Sequence, residues 1–174
     1  IADFERAFGL RHVALRYFNA AGADPGGQIG EAHLPETHII PLVLQVAKRE
    51  CDVFTFNGND YDTDDGTCVR DYIHVVDLAA AHLLALEYLL NGSDSQAFNL
   101  GNGTGYSVQQ VIEAAREVTG HAIPTRVGKR RKGDISILVS DSTRAHEILG
   151  WLPSRPDLAT QVEDAWRWHK NFDG

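Results

Sequence analysis

Two hydrophobic spacings alternate along the chain, and their alternation predicts an α/β fold. Ile1 to Phe8 carries apolar residues at helical spacing, and Gly9 is the residue type that closes a helix in the left-handed conformation. Arg11 to Phe18 (RHVALRYF) then alternates branched or aromatic residues with polar ones and reads as a strand. A helix and a strand joined by glycine make half of a βαβ unit. Ile39 to Lys48 reads as a helix with Pro41 in its first turn, where a missing N–H does no harm, and Val53 to Asn57 reads as a short strand. Leu78 to Leu90 (LAAAHLLALEYLL) is apolar nearly all round, so cover is expected on most of its surface, with Asp77 as N-cap and Asn91-Gly92 as the stop. Further on, Ala97 to Leu100 and Ile123 to Val127 read as strands, and Ser107 with Gln110 forms a capping box for a helix Val108 to Thr119. Ser140 to Leu149 reads as a capped helix ended by Gly150. In the last helix, Leu158 to Lys170, Leu158, Val162, Ala165, Trp166 and His169 share one face.

The polar stretches divide these elements. Asn19 to Pro35 is rich in Gly, Pro and Asp and reads as a long loop, a length that inside a compact domain is usually functional. Gly58 to Gly66 is a polar turn in which Asp62, Asp64 and Asp65 serve solvation and turn formation. Between Asp65 and Asp77 a turn, a short strand carrying Arg70 and a helix follow without a linker, so Arg70 is fixed from both sides.

Composition narrows the class. With 174 residues, 43% hydrophobic and 23% charged, the chain fits one globular domain with an apolar core. A formal charge of −8 argues against a general nucleic-acid or membrane-surface binder and confines any anion site to a local cluster. No apolar run approaches the roughly 18 residues of a spanning helix, and no signal peptide opens the chain, so the expected location is the cytoplasm. Cys51 and Cys68 stand in no metal-ligand spacing and read as unpaired thiols of a reducing compartment, although a bridge stays open on sequence alone. The lack of any methionine and a start within a helix suggest a piece of a longer polypeptide.

Candidate chemistry centres on cations. Lys129-Arg130-Arg131-Lys132-Gly133-Asp134 follows a strand and precedes a glycine, which suits a phosphate as well as it suits a solvated basic turn. Arg70 tips the balance, because two arginines on separate rigid elements suit a diphosphate. Nucleic acid is a distant third reading, since a second basic stretch is lacking. Gly101-Asn102-Gly103-Thr104-Gly105 resembles a dinucleotide turn, but its spacing is G-x-G-x-G and no carboxylate follows about 20 residues on, so a structural turn is favoured. Asn19 ends a strand, a usual place for ligand contacts in open α/β sheets, whereas Tyr17 and Phe18 beside it read first as core. His33 and His38 flank a loop without a helical i, i+4 relation and no third ligand is suggested, so no metal is expected. Trp151, Trp166 and Trp168 read as packing.

Five stretches in order carry a resemblance: Arg16 to Ala23 (RYFNAAGA), Glu36 to Val43 (ETHIIPLV), Gly58 to His82, Phe98 to Val108 (FNLGNGTGYSV) and Arg130 to Asp134 (RRKGD). Together they resemble the C-terminal half of the UDP-glucose 4-epimerase family, NAD-dependent enzymes of the extended short-chain dehydrogenase/reductase superfamily. The resemblance implies the C-terminal part of an NAD(P)-binding Rossmann-type fold. Residues 1–30 would end the nucleotide-binding domain, and 31–174 would form a small α/β substrate lobe with 72–105 returning to the edge of the Rossmann sheet. The family's G-x-x-G-x-x-G turn, catalytic Ser or Thr, and Tyr-x-x-x-Lys pair are missing. Tyr17, Tyr61, Tyr72, Tyr88 and Tyr106 are followed at that distance by Ala21, Asp65, Val76, Gly92 and Gln110. No catalytic residue is therefore expected in this chain, which would be inactive alone.

The resemblance further implies that the whole enzyme interconverts UDP-galactose and UDP-glucose through a 4-keto sugar with bound NAD, as a homodimer. UDP-N-acetylhexosamine or UDP-pentose 4-epimerases and a non-catalytic UDP-sugar-binding module are the alternatives. Carried over by motif, Asn19 would meet diphosphate or sugar, Arg70 and Arg131 would clamp phosphates, and Asp134 would meet the ribose. Thr55, Phe56, Asn57 and Val108 would line the uracil pocket, His38 and Ile39 would open a helix facing UDP, and Tyr17 and Phe18 would lie near the nicotinamide. Asn57 stands where the family usually has an aromatic residue, and Leu138 where side-chain size bears on an N-acetyl group; leucine suits either sugar.

Overall fold

The strand at the centre of the molecule takes partners from three different parts of the chain. In the computed structural model, which describes residues 1–172, this strand is Val69–His74. In chain order the elements are α1 (Ala2–Phe8), β1 (Val13–Tyr17), β2 (Asn19–Ala21), α2 (Ile39–Ala47), β3 (Phe54–Asn57), β4 (Val69–His74), α3 (Val75–Leu90), β5 (Gln96–Leu100), β6 (Gly105–Ser107), α4 (Val108–Thr119), β7 (Thr125–Gly128), β8 (Ile137–Leu138), α5 (Thr143–Leu149) and α6 (Leu158–Asn171). Parallel pairing joins β1 to β5, β3 to β7, and β4 to both β2 and β8, while β6 runs antiparallel to the first half of β4. The alternation of strands and helices with mostly parallel pairing is a Rossmann-like α/β arrangement.

Two apolar cores result. One lies between α2, α4 and α6, with Val43, Leu44, Val111, Ile112 and Val162 wholly inside. Each such side chain contributes about 1.5–3 kcal/mol by leaving water. The other joins Ile73 of β4, Leu78 and Ala81 of α3, Phe98 and Leu100 of β5, and Trp151 after α5.

Several local expectations are corrected by tertiary contacts. The stretch from Asn19 does not begin as loop: Asn19, Ala20 and Ala21 pair with Tyr72, Ile73 and His74. That partner supplies the hydrogen bonds which three small or polar residues do not advertise. Asp77 is not the cap of α3. The helix starts at Val75, and His74 Nδ1 accepts the Val76 N–H at 3.0 Å. Asp77 is instead buried in the first turn, where its carboxylate receives Ser154 N–H (2.8 Å), Ser154 O–H (2.6 Å) and Arg155 N–H (3.0 Å). It thereby ties the segment after Trp151 to α3, helped by Trp151 Nε1 donating to the Asp77 carbonyl. At α5, Asp141 accepts the Thr143 N–H at 3.0 Å, and Ser142 spends its hydroxyl on the Gly101 carbonyl. The capping box of Ser107 and Gln110 and the buried face of α6 are as the spacing predicts.

The apolar circumference of α3 is covered on one side only. Leu78, Ala81 and Ala85 are buried, but Leu83 is 64% and Leu86 54% exposed. Both cysteines are free thiols, Cys51 exposed and Cys68 buried. Among the described residues no helix is long and apolar enough to cross a membrane.

Candidate functional site

Where β2 and β4 run out beside the N-terminal end of α2, the chain encloses a cavity of about 850 Å³. The floor is built from strands. Asn19 opens β2 on the cavity wall, and its Nδ2 donates to the Asp71 carbonyl of β4 at 2.9 Å, so the side chain is held by the sheet. Arg70, one residue before Asp71, is half-buried and lines the same cavity, with Nη1 donating to the Val69 carbonyl at 2.8 Å. Tyr17 and Phe18 stand at the mouth, 43% and 41% exposed, and are wall residues rather than core.

The turn from Gly101 to Gly105 helps position Arg70 from behind. It cradles an anion, but the anion is the protein's own: Asp71 accepts N–H groups from Asn102 (2.9 Å), Gly103 (3.2 Å) and Ser140 (3.1 Å). Burial pushes the Asp71 pKa up despite those three donors, which pull it down. A Cβ at position 101 would sit 2.3 Å from Asp71 Oδ2, so the close approach requires glycine.

α2 presents its N-terminal end to the cavity through Thr37, His38, Ile39 and Ile40. His38 is its N-cap residue and the first turn itself holds no acidic side chain, although the Glu36 carboxylate accepts the Thr37 and His38 N–H groups just before it. Such an end favours an anion. Opposite lies β3, where Thr55, Phe56 and Asn57 all line the cavity, together with Val108 at the start of α4.

The basic run divides its cations. Arg131 lines the cavity, its Nε donating to Asp134 Oδ2 at 3.0 Å, and Asp134 lines it as well. Asp134 also accepts the Tyr61 phenol at 3.3 Å. Burial, with Cys68 and Asp134 adding to it, pushes that phenol up to about 12, so Tyr61 remains a donor at neutral pH. Arg130 is used differently, its guanidinium lying 3.9 Å over the Tyr61 ring. The result is an acidic chain with two arginines, from distant segments, on one cavity.

All the site residues expected from sequence line this cavity except Leu138. Leu138 pairs beside Arg70 in the β8–β4 register and so braces the strand from outside the lining. Sequence reasoning missed Cys68, Val76, Trp168 and His169, which also line it. His169 had been visible only as one apolar-face position of α6. Trp168 carried no signal, because its place depends on Nε1 donating to the Glu31 carbonyl at 3.0 Å across 137 residues.

Behind the cavity, His74 is wholly buried. Its Nε2 lies 3.2 Å from Asp164, whose carboxylate is already met by Arg155 (3.0 Å) and Arg167 (2.8 Å). Burial holds the His74 pKa below the ordinary histidine value although Asp164 raises it. The neutral ring then donates from Nε2 to Asp164 while Nδ1 accepts from Val76. Gly22 makes room for this ring: its φ is +79°, and a Cβ there would lie 2.5 Å from His74.

The expectation that no third ligand accompanies His33 and His38 is overturned. The loop folds so that Glu31 and Glu36 join both imidazoles within 4.8 Å. The sequence hides this grouping because the four residues share no helix face.

Residues 1–101 match the profile of the NAD dependent epimerase/dehydratase family. A protein of Halalkalibacterium halodurans named UDP-glucose 4-epimerase is 57% identical over 166 residues, which are 95% of this chain and 50% of that protein. A crystal structure described as UDP-glucose 4-epimerase superposes with a TM-score of 0.94 at 53% identity, over 97% of this chain and 51% of that one. The UDP-glucose 4-epimerase of Bifidobacterium longum in complex with NAD+ and UDP superposes with a TM-score of 0.90 at 38% identity, over 98% of this chain and 51% of that one. The chain thus spans about half the length of the relatives it matches.

Proposed function

The chain belongs to the NAD dependent epimerase/dehydratase family, and on that premise we propose that it is the UDP-sugar-binding half of a UDP-glucose 4-epimerase. The observation that carries this reading is the meeting of Arg70, Arg131 and the N-terminal end of α2 on one cavity of an acidic chain. Two guanidinium groups and a helix end suit a diphosphate. In this reading Arg70 and Arg131 clamp the phosphates and Asp134, which already orients Arg131, accepts from the ribose. Thr55, Phe56, Asn57 and Val108 form the uracil wall, His38 and Ile39 face the diphosphate, and Asn19 meets the diphosphate or the sugar. Leu138 lies outside the lining, beside Arg70 in the β8–β4 pairing, and a leucine there suits either sugar. The whole protein would interconvert UDP-galactose and UDP-glucose through a 4-keto sugar, as a cytoplasmic homodimer.

Tyr17 and Phe18, both partly exposed at the cavity mouth, fit one face of a nicotinamide, and this is the extent to which the chain fits NAD. When bound, NAD would supply the hydride acceptor and donor for C4 of the sugar. The chain's own residues bind and orient the nucleotide, and with no Tyr-x-x-x-Lys pair in the sequence they contribute no catalytic group. Residues 1–30 then belong to the nucleotide-binding domain and 31–174 to the substrate lobe, with 72–105 returning to the Rossmann sheet.

The test is calorimetric titration of UDP and of NAD into the 19.2 kDa chain, its mass checked first. UDP is expected to bind and NAD not. Arg70→Ala should weaken UDP by about tenfold or more, the worth of one charge-assisted hydrogen bond. Absence of UDP binding, or equal affinity in Arg70→Ala and Arg131→Ala, would overturn the assignment.

A further inference from the structure

The loop leading into α2 gathers four side chains that the nucleotide reading does not use together. Glu31, His33, Glu36 and His38 each offer one ligand atom, all within 4.8 Å of one another. His38 Nδ1 lies 2.5 Å from Glu31 Oε1 and 3.2 Å from Glu36 Oε1, and His33 Nδ1 lies 3.8 Å from that same Glu36 oxygen. A tetrahedral zinc ion with N and O donors at about 2.0–2.1 Å holds those donors about 3.3 Å apart. The observed separations bracket that value, so closing on an ion needs only small side-chain shifts.

We propose that Glu31, His33, Glu36 and His38 form a binding site for a divalent cation of the zinc type at the rim of the cavity. Two imidazoles and two carboxylates are a donor set that zinc accepts, and the carboxylates neutralise its charge. The donors are also held from outside, as metal ligands usually are. Glu36, its side chain only 6% exposed, accepts the N–H groups of Thr37 (2.6 Å) and His38 (2.7 Å). Glu31 is anchored through its carbonyl by Trp168 Nε1. His38 occupies the N-cap position of α2. The two ring centroids are 5.4 Å apart, and both Nδ1 atoms lie within 3.8 Å of the same Glu36 oxygen. An ion there cross-links the loop to the start of α2 and so fixes one wall of the cavity. The site stands whether or not the cavity takes a nucleotide sugar.

The experiment uses the metal-free chain in a Cys51→Ser background, because the exposed Cys51 thiol is a competing zinc ligand. Zn2+ is titrated against a chelating dye, and Co2+ is added as a spectroscopic stand-in. One equivalent of Zn2+ is expected, with Co2+ giving the intense visible bands of tetrahedral coordination that Zn2+ then bleaches. His38→Asn should weaken Zn2+ by more than about tenfold, since disturbing outer-shell partners alone costs 10–100-fold at metal sites. His33→Asn with His38→Asn should abolish the Co2+ bands while far-ultraviolet circular dichroism is retained. Zn2+ should also slow cleavage by a Glu-specific protease after Glu31, and not in the double variant. Unchanged zinc affinity in the double variant, no stoichiometric uptake by the parent chain, or only the weak bands of six-coordinate Co2+ would each overturn the proposal.

Discussion

The α2–α4–α6 region is built from less apolar sequence than the β1–β5–α3 region, yet the first closes its core more fully. There, each helix turns its apolar face to the other two, and Val43, Leu44, Val111, Ile112 and Val162 are wholly buried. In the second region a parallel pair, β1 and β5, has α3 and α5 against it, but Tyr17, Phe18, Leu83, Leu86 and Leu90 stay exposed and α1 buries none of its residues. Parallel strands are ordinarily covered on both faces. The contrast teaches that apolar content sets how much surface wants burial, while the elements at hand decide how much gets it. It agrees with the proposal that this chain is half of a longer enzyme whose other half supplies the second layer.

Substitution in the closed core should cost most. Leu44→Ala is expected to lower unfolding free energy by about 3 kcal/mol in urea titration, through lost burial and a cavity. A loss below about 1 kcal/mol would mean that this core is as loose as the open region. Next comes the tie that holds the open region together: Asp77→Ala strands the N–H groups of Ser154 and Arg155 and should cost about 2–3 kcal/mol.

The pH dependence should follow the buried histidines at the cavity. Burial lowers the pKa of both His74 and His169 below the ordinary 6.5. The unfolded chain therefore takes up their protons first, so this stability is complete above that value and drains away as the pH falls below it. Each histidine contributes at most about 1.4 kcal/mol per pH unit in that window. His169→Gln should flatten the slope between pH 6.5 and 5, and an unchanged slope would show that other groups carry it.

The smallest effect on stability and the clearest on association belongs to α3. Leu86→Ala should change stability by no more than about 0.5 kcal/mol. Leu83→Glu with Leu86→Glu should shift light scattering from associated species to monomer, since an exposed apolar patch drives association. A parent chain already monomeric at high concentration would break the comparison outright.

Much of this was legible in the amino-acid order. Most helix and strand types followed from spacing, and Tyr17, Phe18, Asn19, His38, Ile39, Arg70, Val108, Arg131 and Asp134 of the cavity fall within the five short stretches, which sit at strand ends and helix starts where local chemistry is distinctive. Leu138 lies outside the cavity lining because its neighbourhood is set by a pairing with β4 across nearly 70 residues. Asp77 was misread because a carboxylate at a helix start has two uses, and only the arrival of Ser154 and Arg155 selects one.

By itself the sequence determined the helices and the longer strands, though not β2, β6, β8 or the start of α3, and that any anion site in so acidic a chain must be local, since periodicity, capping and charge are properties of neighbours in the chain. Tertiary structure alone decided that Asp71 fills the glycine turn, that one face of α3 goes uncovered, and that Glu31, His33, Glu36 and His38 meet. Those outcomes depend on backbone hydrogen bonds and packing between segments far apart in sequence, for which no local pattern stands in.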